Sequence, residues 1–185
     1  MIQNRTKEHA LKAVGYRETG SIDRTDALVD FEADKPTPKG RDLLVKVQAV
    51  SVNPVDTKIR QNRAPVGPAP DILGWDAVGI VEAVGETVET FSPGDTVWYA
   101  GAINRPGTNA EFHLVDERIV GAAPKSITAK AAAAMPLTSL TAFEMLFDRL
   151  RVQDAVSGGT NTLLVIGGAG GVGSITIQLA RALTD

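Results

Sequence analysis

The sequence predicts a mainly β domain, folded as a partly closed barrel, followed by the first βα unit of an α/β domain. Two observations carry this prediction. Short segments rich in β-forming residues, separated by Pro and Gly turns, fill about the first 120 residues. After Pro124 the apolar spacing becomes helical, and an apolar run at residues 163–166 then leads into a glycine cluster.

Six segments of the first part are predicted to form strands. In the segment 43–50, Lys46 and Gln48 fall on one face while Val45 and Val47 fall on the other, which is the alternation of a half-buried strand. Many short strands without intervening helices favour a partly closed barrel or a sandwich. The predicted strands are residues 10–16, 27–33, 43–50, 77–84, 96–99 and 110–115.

The second part is predicted to be helical before it becomes α/β. Ser126 or Thr128 can cap a helix through residues 131–134, which Pro136 should end or kink. Further helices are expected at 138–150 and 174–183, and the polar stretch 153–162 reads as a loop. These features divide the chain into domains at 1–125 and 126–185.

At residues 163–166 the side chains on both faces of the predicted strand are apolar, which is typical of a buried parallel strand. One strand and one helix cannot cover both faces of such a strand. We therefore expect the sequence to be part of a longer protein.

Composition excludes several classes of function. Cysteine is absent and only His9 and His113 are present, which excludes disulfides, thiolate catalysis, sulfur-ligated zinc and a histidine-rich metal site. The net charge is −3 and the sequence has no basic cluster, which argues against a nucleic-acid-binding protein. No apolar run approaches the roughly 20 residues of a membrane span, and the first residues lack a secretory signal. A cytoplasmic protein is the expectation.

The glycine cluster after the apolar run has the spacing of a dinucleotide-binding loop. Gly168, Gly170 and Gly173 form G-x-G-x-x-G, between a predicted strand and a predicted helix, and Gly171 and Val172 lie inside it. The first glycine permits the tight turn, the second lets the backbone approach a pyrophosphate, and the third lets the helix pack closely. The alternative is a glycine-rich turn without a ligand.

Several further motifs occur in the order and spacing of a known family. They are VNPVDTKIR at 52–60, LGWDAVGIVEAVG at 73–85, FSPGDTV at 91–97, NAEF at 109–112 and LTSLTAF at 137–143. Together with the glycine loop they resemble the quinone oxidoreductase branch of the medium-chain dehydrogenase/reductase superfamily, in particular its zinc-type alcohol dehydrogenase-like proteins.

That resemblance implies a fold, a cofactor and an activity. It implies a GroES-like domain beside a Rossmann domain, with substrate bound in the cleft between them. It further implies reduction of quinones or α,β-unsaturated carbonyl compounds with NADP as cofactor, NADPH being favoured over NADH, and a homodimer at full length. The residue that reads the ribose phosphate lies about 20 residues beyond the glycine loop, which is past Asp185, so the sequence itself does not distinguish NAD from NADP.

The resemblance also bears on metal binding. Zinc-dependent members hold the metal through a Cys at the position of Asn53, a His at that of Trp75 and a second Cys near Leu137. They also carry an acidic residue near Asp76. Amide, indole and aliphatic side chains replace the soft ligands here, so we predict no metal site. Asp56 persists without its usual histidine partner, and we expect its role to be structural.

Several side chains are candidates for the functional site, and each also has an alternative interpretation. Asn53 is the candidate catalytic residue, polarising a carbonyl, unless it only caps a strand and starts a turn. Thr141 is expected to contact the cofactor, unless its hydroxyl bonds back to the preceding turn. Trp75 lines the substrate pocket or packs in the core. Tyr99 is a possible proton donor, although a hydroxyl in solvent is the better expectation, and His113 is expected to face solvent.

Two other functions remain open. One is a zinc-dependent alcohol dehydrogenase, against which the missing ligands argue. The other is a protein without catalytic activity, which binds a nucleotide as a sensor or serves as a scaffold. Fold alone does not decide among them.

Overall fold

The computed structural model describes residues 10–154, 158–159 and 162–184 and divides the chain into two compact units, Met1–Ala134 and Met135–Asp185. The division comes later than the predicted boundary after residue 125. The reason is the short helix α2, Ala129–Ala133, which packs its buried alanines against Val78 of the first unit.

The first unit consists of two antiparallel sheets. Among the described residues, one sheet consists of β1 (Ala10–Tyr16), β2 (Val29–Asp34) and β4 (Asp71–Ile72), in the order β2-β1-β4. The other consists of β3 (Asp42–Ser51), β5 (Asp76–Val84), β6 (Thr96–Ala100), β7 (Phe112–Asp116) and β8 (Val120–Ala122), in the order β7-β3-β5-β6-β8. All six predicted strands are confirmed, with each end within two residues of the prediction. The strands β4 and β8 were not predicted, because they are too short to show an alternation of apolar and polar residues.

The segment before β7 joins the two sheets. The Val14 amide donates to the carbonyl of Asn109 (2.8 Å), and the Glu111 amide donates to that of Lys12 (3.0 Å). On its other side, the Val47 amide of β3 donates to the Glu111 carbonyl (2.9 Å). The sheets are linked along this line without closing fully, which confirms the predicted mainly β, partly closed architecture.

The core of the five-stranded sheet comes from the inward residues of its strands. β3 and β5 contribute Leu43, Val45 and Val81, all essentially buried, and strand alternation places them on one face. Tyr99 of β6 belongs to the same cluster, with 2% of its surface exposed. The expectation that its hydroxyl lies in solvent is therefore wrong.

A helix that the sequence analysis did not predict follows β3. This helix, α1 (Pro54–Asn62), begins after Asn53, has Pro54 in its first turn, and carries Asp56 there as well. A polar cap residue, Pro at the first helical position and an early acidic residue are the usual helix-start signals. Because predicted strands lie on both sides of these residues, the sequence pattern favoured a turn.

The second unit contains α3, Pro136–Phe143, a π-helical turn, Glu144–Arg149, and α4, Gly171–Leu183. The first two together fill the predicted helix 138–150. In the first unit, the Thr128 hydroxyl caps α2 as expected, accepting from the Ala131 amide at 3.2 Å. α2 ends at Ala133, before Pro136, and Pro136 begins α3 in the second unit. The longest described helix, α4, has 13 residues, and none in the described ranges is long and apolar enough to cross a membrane.

The predicted strand at residues 163–166 is wrong. These residues form no strand, and the side chains of Leu164 and Ile166 are 83% and 90% exposed. A parallel strand needs a neighbouring strand to satisfy its backbone groups, and the described part of the second unit offers none. Part of the predicted 153–162 loop lies outside the described residues.

Candidate active site

Asn53 lies where β3 gives way to α1, and two buried carboxyl groups hold it. Its backbone amide donates to Oδ2 of Asp56 at 2.6 Å, and its side-chain Nδ2 donates to Oδ2 of Asp76 at 2.9 Å. Asp56 is 5% exposed and Asp76 is fully buried, whereas Asn53 is half-buried. The carboxamide therefore has a fixed inner end and an outer end near the surface.

Asp56 ties the start of α1 to the connection between β4 and β5. Its second oxygen, Oδ1, accepts from the backbone amide of Gly74 at 3.0 Å. Burial raises the pKa of Asp56, while the backbone amides of Asn53 and Gly74 oppose that rise. Both contacts are to backbone, which agrees with the structural role expected of this residue.

Trp75 follows Gly74 and lies in the core of the first unit. Its indole is 4% exposed and packs against Tyr16, Leu73, Val55 and Ile59. Its Nε1 has no hydrogen-bond partner within the described residues. The structure thus shows the core packing that was the alternative for Trp75, and its assignment to a substrate pocket stays a prediction.

The expectation that His113 faces solvent is wrong, because the imidazole is 4% exposed. Its Nδ1 lies 3.0 Å from the Tyr99 hydroxyl, and its Nε2 lies 3.0 Å from the carbonyl oxygen of Pro106. A carbonyl only accepts, so Nε2 carries the hydrogen and the Tyr99 hydroxyl donates to Nδ1. The loop containing Pro106 covers the face of β7 that the alternation assigned to solvent.

This burial predicts an acid-sensitive fold. Burial lowers the pKa of His113 to about 4 and raises that of Tyr99. Below the ordinary imidazole pKa of about 6.5, the unfolded chain binds a proton that the folded chain does not. The stabilising contribution is complete above that value and is lost as the pH falls towards the folded pKa.

We expect His113 to lower the free energy of unfolding by about 2 kcal/mol between pH 7 and pH 5. Urea unfolding at the two pH values measures this difference. The matched variant His113→Gln, whose amide can still accept from Tyr99, should lack that part of the pH dependence. An equal drop in the variant and in the parent protein would contradict the assignment.

In the second unit, the glycine loop shapes the start of α4. Gly167 has a φ of +75°, and its carbonyl accepts from the Gly170 amide at 3.0 Å. A Cβ at Gly173 would lie 2.3 Å from the Gly167 oxygen, so only glycine fits there. No side chain among the described residues caps α4, and its first amides, including those of Gly171 and Val172, can bind an anion.

Thr141 lies on α3, in the same unit as the glycine loop. Its hydroxyl is exposed and donates to the carbonyl oxygen of Leu137 at 2.8 Å. That is the back-bonded arrangement given as the alternative, although the oxygen can still accept a hydrogen bond. Contact between Thr141 and a cofactor stays a prediction.

A groove of about 940 Å³ in the first unit contains neither Asn53 nor Trp75. It runs between β1, β2 and β3 and is lined by residues that include Ala13, Phe31, Val47 and Thr108. The groove therefore does not mark the candidate catalytic residue. Within the described ranges, no group of three or more His, Asp or Glu side chains is placed to hold a metal ion.

The first unit matches a known domain family. The family of alcohol dehydrogenase GroES-like domains matches residues 39–138. A zinc-type alcohol dehydrogenase-like protein of Staphylococcus aureus is 46% identical over 172 residues, covering 92% of this chain and 51% of that protein. An NADPH-dependent alkenal/one oxidoreductase of Arabidopsis thaliana is 37% identical, covering 92% of this chain and 44% of that protein.

Solved structures agree with these relatives. A Rhizobium etli protein, provisionally called a zinc-dependent alcohol dehydrogenase, is 55% identical with a TM-score of 0.92, over 96% of this chain and 51% of that one. The quinone oxidoreductase of Coxiella burnetii is 27% identical with a TM-score of 0.77, over 94% of this chain and 54% of that one. The chain thus spans about half the length of the relatives it matches.

Proposed function

The chain belongs to the alcohol dehydrogenase GroES-like family of the medium-chain dehydrogenase/reductase superfamily, in its quinone oxidoreductase branch, and we propose that it is part of a zinc-independent reductase. This enzyme uses NADPH to reduce quinones or α,β-unsaturated carbonyl compounds. The single observation that carries the proposal is the Asn53 carboxamide, held by Asp76 at the position where zinc-dependent members have a thiolate.

Zinc independence is supported by the side chains at the metal-binding positions. Zn²⁺ is held in proteins by thiolate, imidazole and carboxylate ligands. An amide at Asn53 and a buried indole at Trp75 replace two of them, and the sequence has no cysteine. Oδ2 of Asp56 and Oδ2 of Asp76 accept from Asn53, and Oδ1 of Asp56 accepts from the Gly74 amide, so these three oxygens already bind N–H groups of the protein.

The glycine loop supports a dinucleotide cofactor. Within the part of the chain that the structure describes, no side chain caps the start of α4, and glycine at position 173 leaves room for the close approach of loop and helix. Both features fit the binding of a pyrophosphate by backbone amides. When bound, the reduced nicotinamide supplies a hydride. The preference for NADPH is supported by the Arabidopsis relative, which is named as NADPH-dependent.

Asn53 supplies a hydrogen-bond donor to the substrate oxygen. As a hydride reaches the β-carbon of an enone, negative charge collects on the carbonyl oxygen, and a positioned N–H stabilises it. One hydrogen of Nδ2 is used by Asp76, and in the proposed reaction the other donates to the substrate oxygen. A proton from solvent then completes the two-electron reduction of the double bond.

We expect Asn53→Ala in the full-length enzyme to lower kcat about 100-fold, the usual cost of one oxyanion donor. The Kd for NADPH should stay within about twofold, because in the proposed function the glycine loop binds the phosphates and Asn53 acts on the substrate oxygen. Steady-state turnover of an enone and NADPH titration measure the two quantities. Asn104→Ala, at an exposed position, is the matched control. Unchanged kcat in Asn53→Ala would remove Asn53 from the mechanism.

The two alternatives give different results in the same assays. A zinc-dependent alcohol dehydrogenase would lose turnover when treated with a chelator. A nucleotide-binding sensor or scaffold would bind NADPH without oxidising it in the presence of any enone or quinone. The homodimeric full-length protein and its cytoplasmic location stay predictions.

A further inference from the structure

Asp76 occupies an unusual place for a carboxyl group. It begins β5, the central strand of the five-stranded sheet, and is paired with Ser51 on β3 and with Ala100 on β6. The next residues of the strand, Ala77 and Val78, are apolar and buried. Because strands on both sides fix its backbone, the position of the carboxyl group is defined by the sheet.

A fully buried carboxyl group lowers the stability of a core unless its hydrogen bonds compensate. An apolar residue at this position would continue the buried pattern of β5 without that cost. The carboxyl group of Asp76 instead accepts from Nδ2 of Asn53 at 2.9 Å. The contact connects the rigid sheet to the one side chain that the proposed function places against the substrate.

The contact also selects one orientation of the Asn53 carboxamide. A carboxylate oxygen accepts hydrogen bonds, so it binds the NH₂ end of an amide and not the carbonyl end. Asp56 holds the backbone amide of Asn53 at the same time. With both points fixed, the carboxamide cannot rotate by half a turn without losing a hydrogen bond to a buried group.

We propose that Asp76 is a positioning residue, which binds one Nδ2–H of Asn53 and thereby directs the other Nδ2–H to the substrate oxygen. This inference rests on the proposed function of Asn53. A rotated carboxamide would present its Oδ1 to the substrate, and two acceptors facing each other repel. Asp76 therefore determines whether Asn53 helps or hinders the reaction.

A double-mutant cycle in the full-length enzyme tests the proposal, with Asn53→Ala, Asp76→Ala and the double variant. We expect Asp76→Ala to lower kcat about 10-fold or more, with the KM for NADPH within about twofold. In the Asn53→Ala background the same change should have no further effect on kcat. Effects that multiply in the double variant would overturn the proposal, because Asp76 would then act independently of Asn53.

Asp76→Asn is the conservative variant. Its side chain keeps an acceptor oxygen for Nδ2 of Asn53, and we expect it to recover most of the turnover lost in Asp76→Ala. If Asp76→Ala does not fold, the turnover of Asp76→Asn still tests the proposal. Turnover of Asp76→Asn as low as that of Asn53→Ala would count against the proposal.

A second readout is independent of activity. In ¹⁵N-labelled protein, the side-chain NH₂ signals of Asn53, identified by their loss in Asn53→Ala, should exchange with solvent more slowly than those of the exposed Asn104. In Asp76→Ala that protection should disappear. Equal exchange at Asn53 and Asn104 in the parent protein would overturn the orientation by Asp76. Protection without NADPH-dependent turnover would contradict the proposed function alone.

Discussion

Replacing Gly173 with Ala should abolish tight binding of NADPH by the full-length protein. An added Cβ would lie 2.3 Å from the backbone oxygen of Gly167 and 2.7 Å from Cα of Gly168. Neither is the end of a flexible side chain, so either the loop or the first turn of α4 must move. Since backbone amides at this helix start bind the phosphates in our account, displacing them removes the site.

We expect the Kd for NADPH to rise at least about 100-fold, which is close to 2.7 kcal/mol. Titration by isothermal calorimetry measures it, and far-UV circular dichroism shows whether the variant is folded. Gly67→Ala is the control, since a Cβ at Gly67 meets nothing within 4 Å. A folded Gly173→Ala protein that binds NADPH as tightly as the control would refute the role of the loop.

Gly107→Ala should strongly destabilise the first unit. Gly107 is buried, and its amide donates to the carbonyl of Ile72 at 2.9 Å. A Cβ there would lie 2.2 Å from the carbonyl oxygen of Leu73 and 2.5 Å from that of Gly74. These residues lead directly into Trp75, so the loop must move away from the strand connection that carries the core indole.

We expect Gly107→Ala to lower the free energy of unfolding by about 3 kcal/mol, at the upper end for an overpacked core. Urea unfolding followed by the fluorescence of Trp75 and Trp98 reports on the first unit, which contains both indoles. Gly67→Ala is again the control and should change the stability by less than about 0.5 kcal/mol. Equal stability of the two variants would contradict the close packing at Gly107.

The strand pattern of the first unit could be predicted because alternation of burial is a local property of the sequence. β1 is predicted exactly, and β3 and β5 to within one residue. The same alternation failed for His113, because whether a face meets solvent depends on what covers it. The connection between β6 and β7, which contains Pro106, supplies that cover.

The remaining errors have a similar cause. The helix-start signals at Asn53, Pro54 and Asp56 were present, yet neighbouring strands made them read as a turn. Residues 163–166 have the composition of a buried strand, but no strand among the described residues pairs with them. Whether a segment pairs as a strand depends on other segments, and its own composition does not show them.

The candidate site, too, could be predicted from the sequence only in part. Asn53 and the glycine loop could be chosen from the sequence, because a family resemblance and a glycine spacing point to them. The contact between Asn53 and Asp76, 23 positions apart, could not, since it depends on the register of β3 against β5. The sequence signals for Asp76 are an acidic residue just before the apolar run 77–81 and the family resemblance, in which zinc-dependent members carry an acidic residue near this position.

Metal analysis of the full-length protein, together with its turnover, tests whether the reductase works without zinc. Inductively coupled plasma mass spectrometry should find well below one zinc per chain in a preparation that oxidises NADPH in the presence of an enone or quinone. That turnover should be unchanged after dialysis against a chelator. One zinc per chain, with activity lost on chelation and restored by added Zn²⁺, would rule out a zinc-independent reductase and identify a zinc-dependent enzyme.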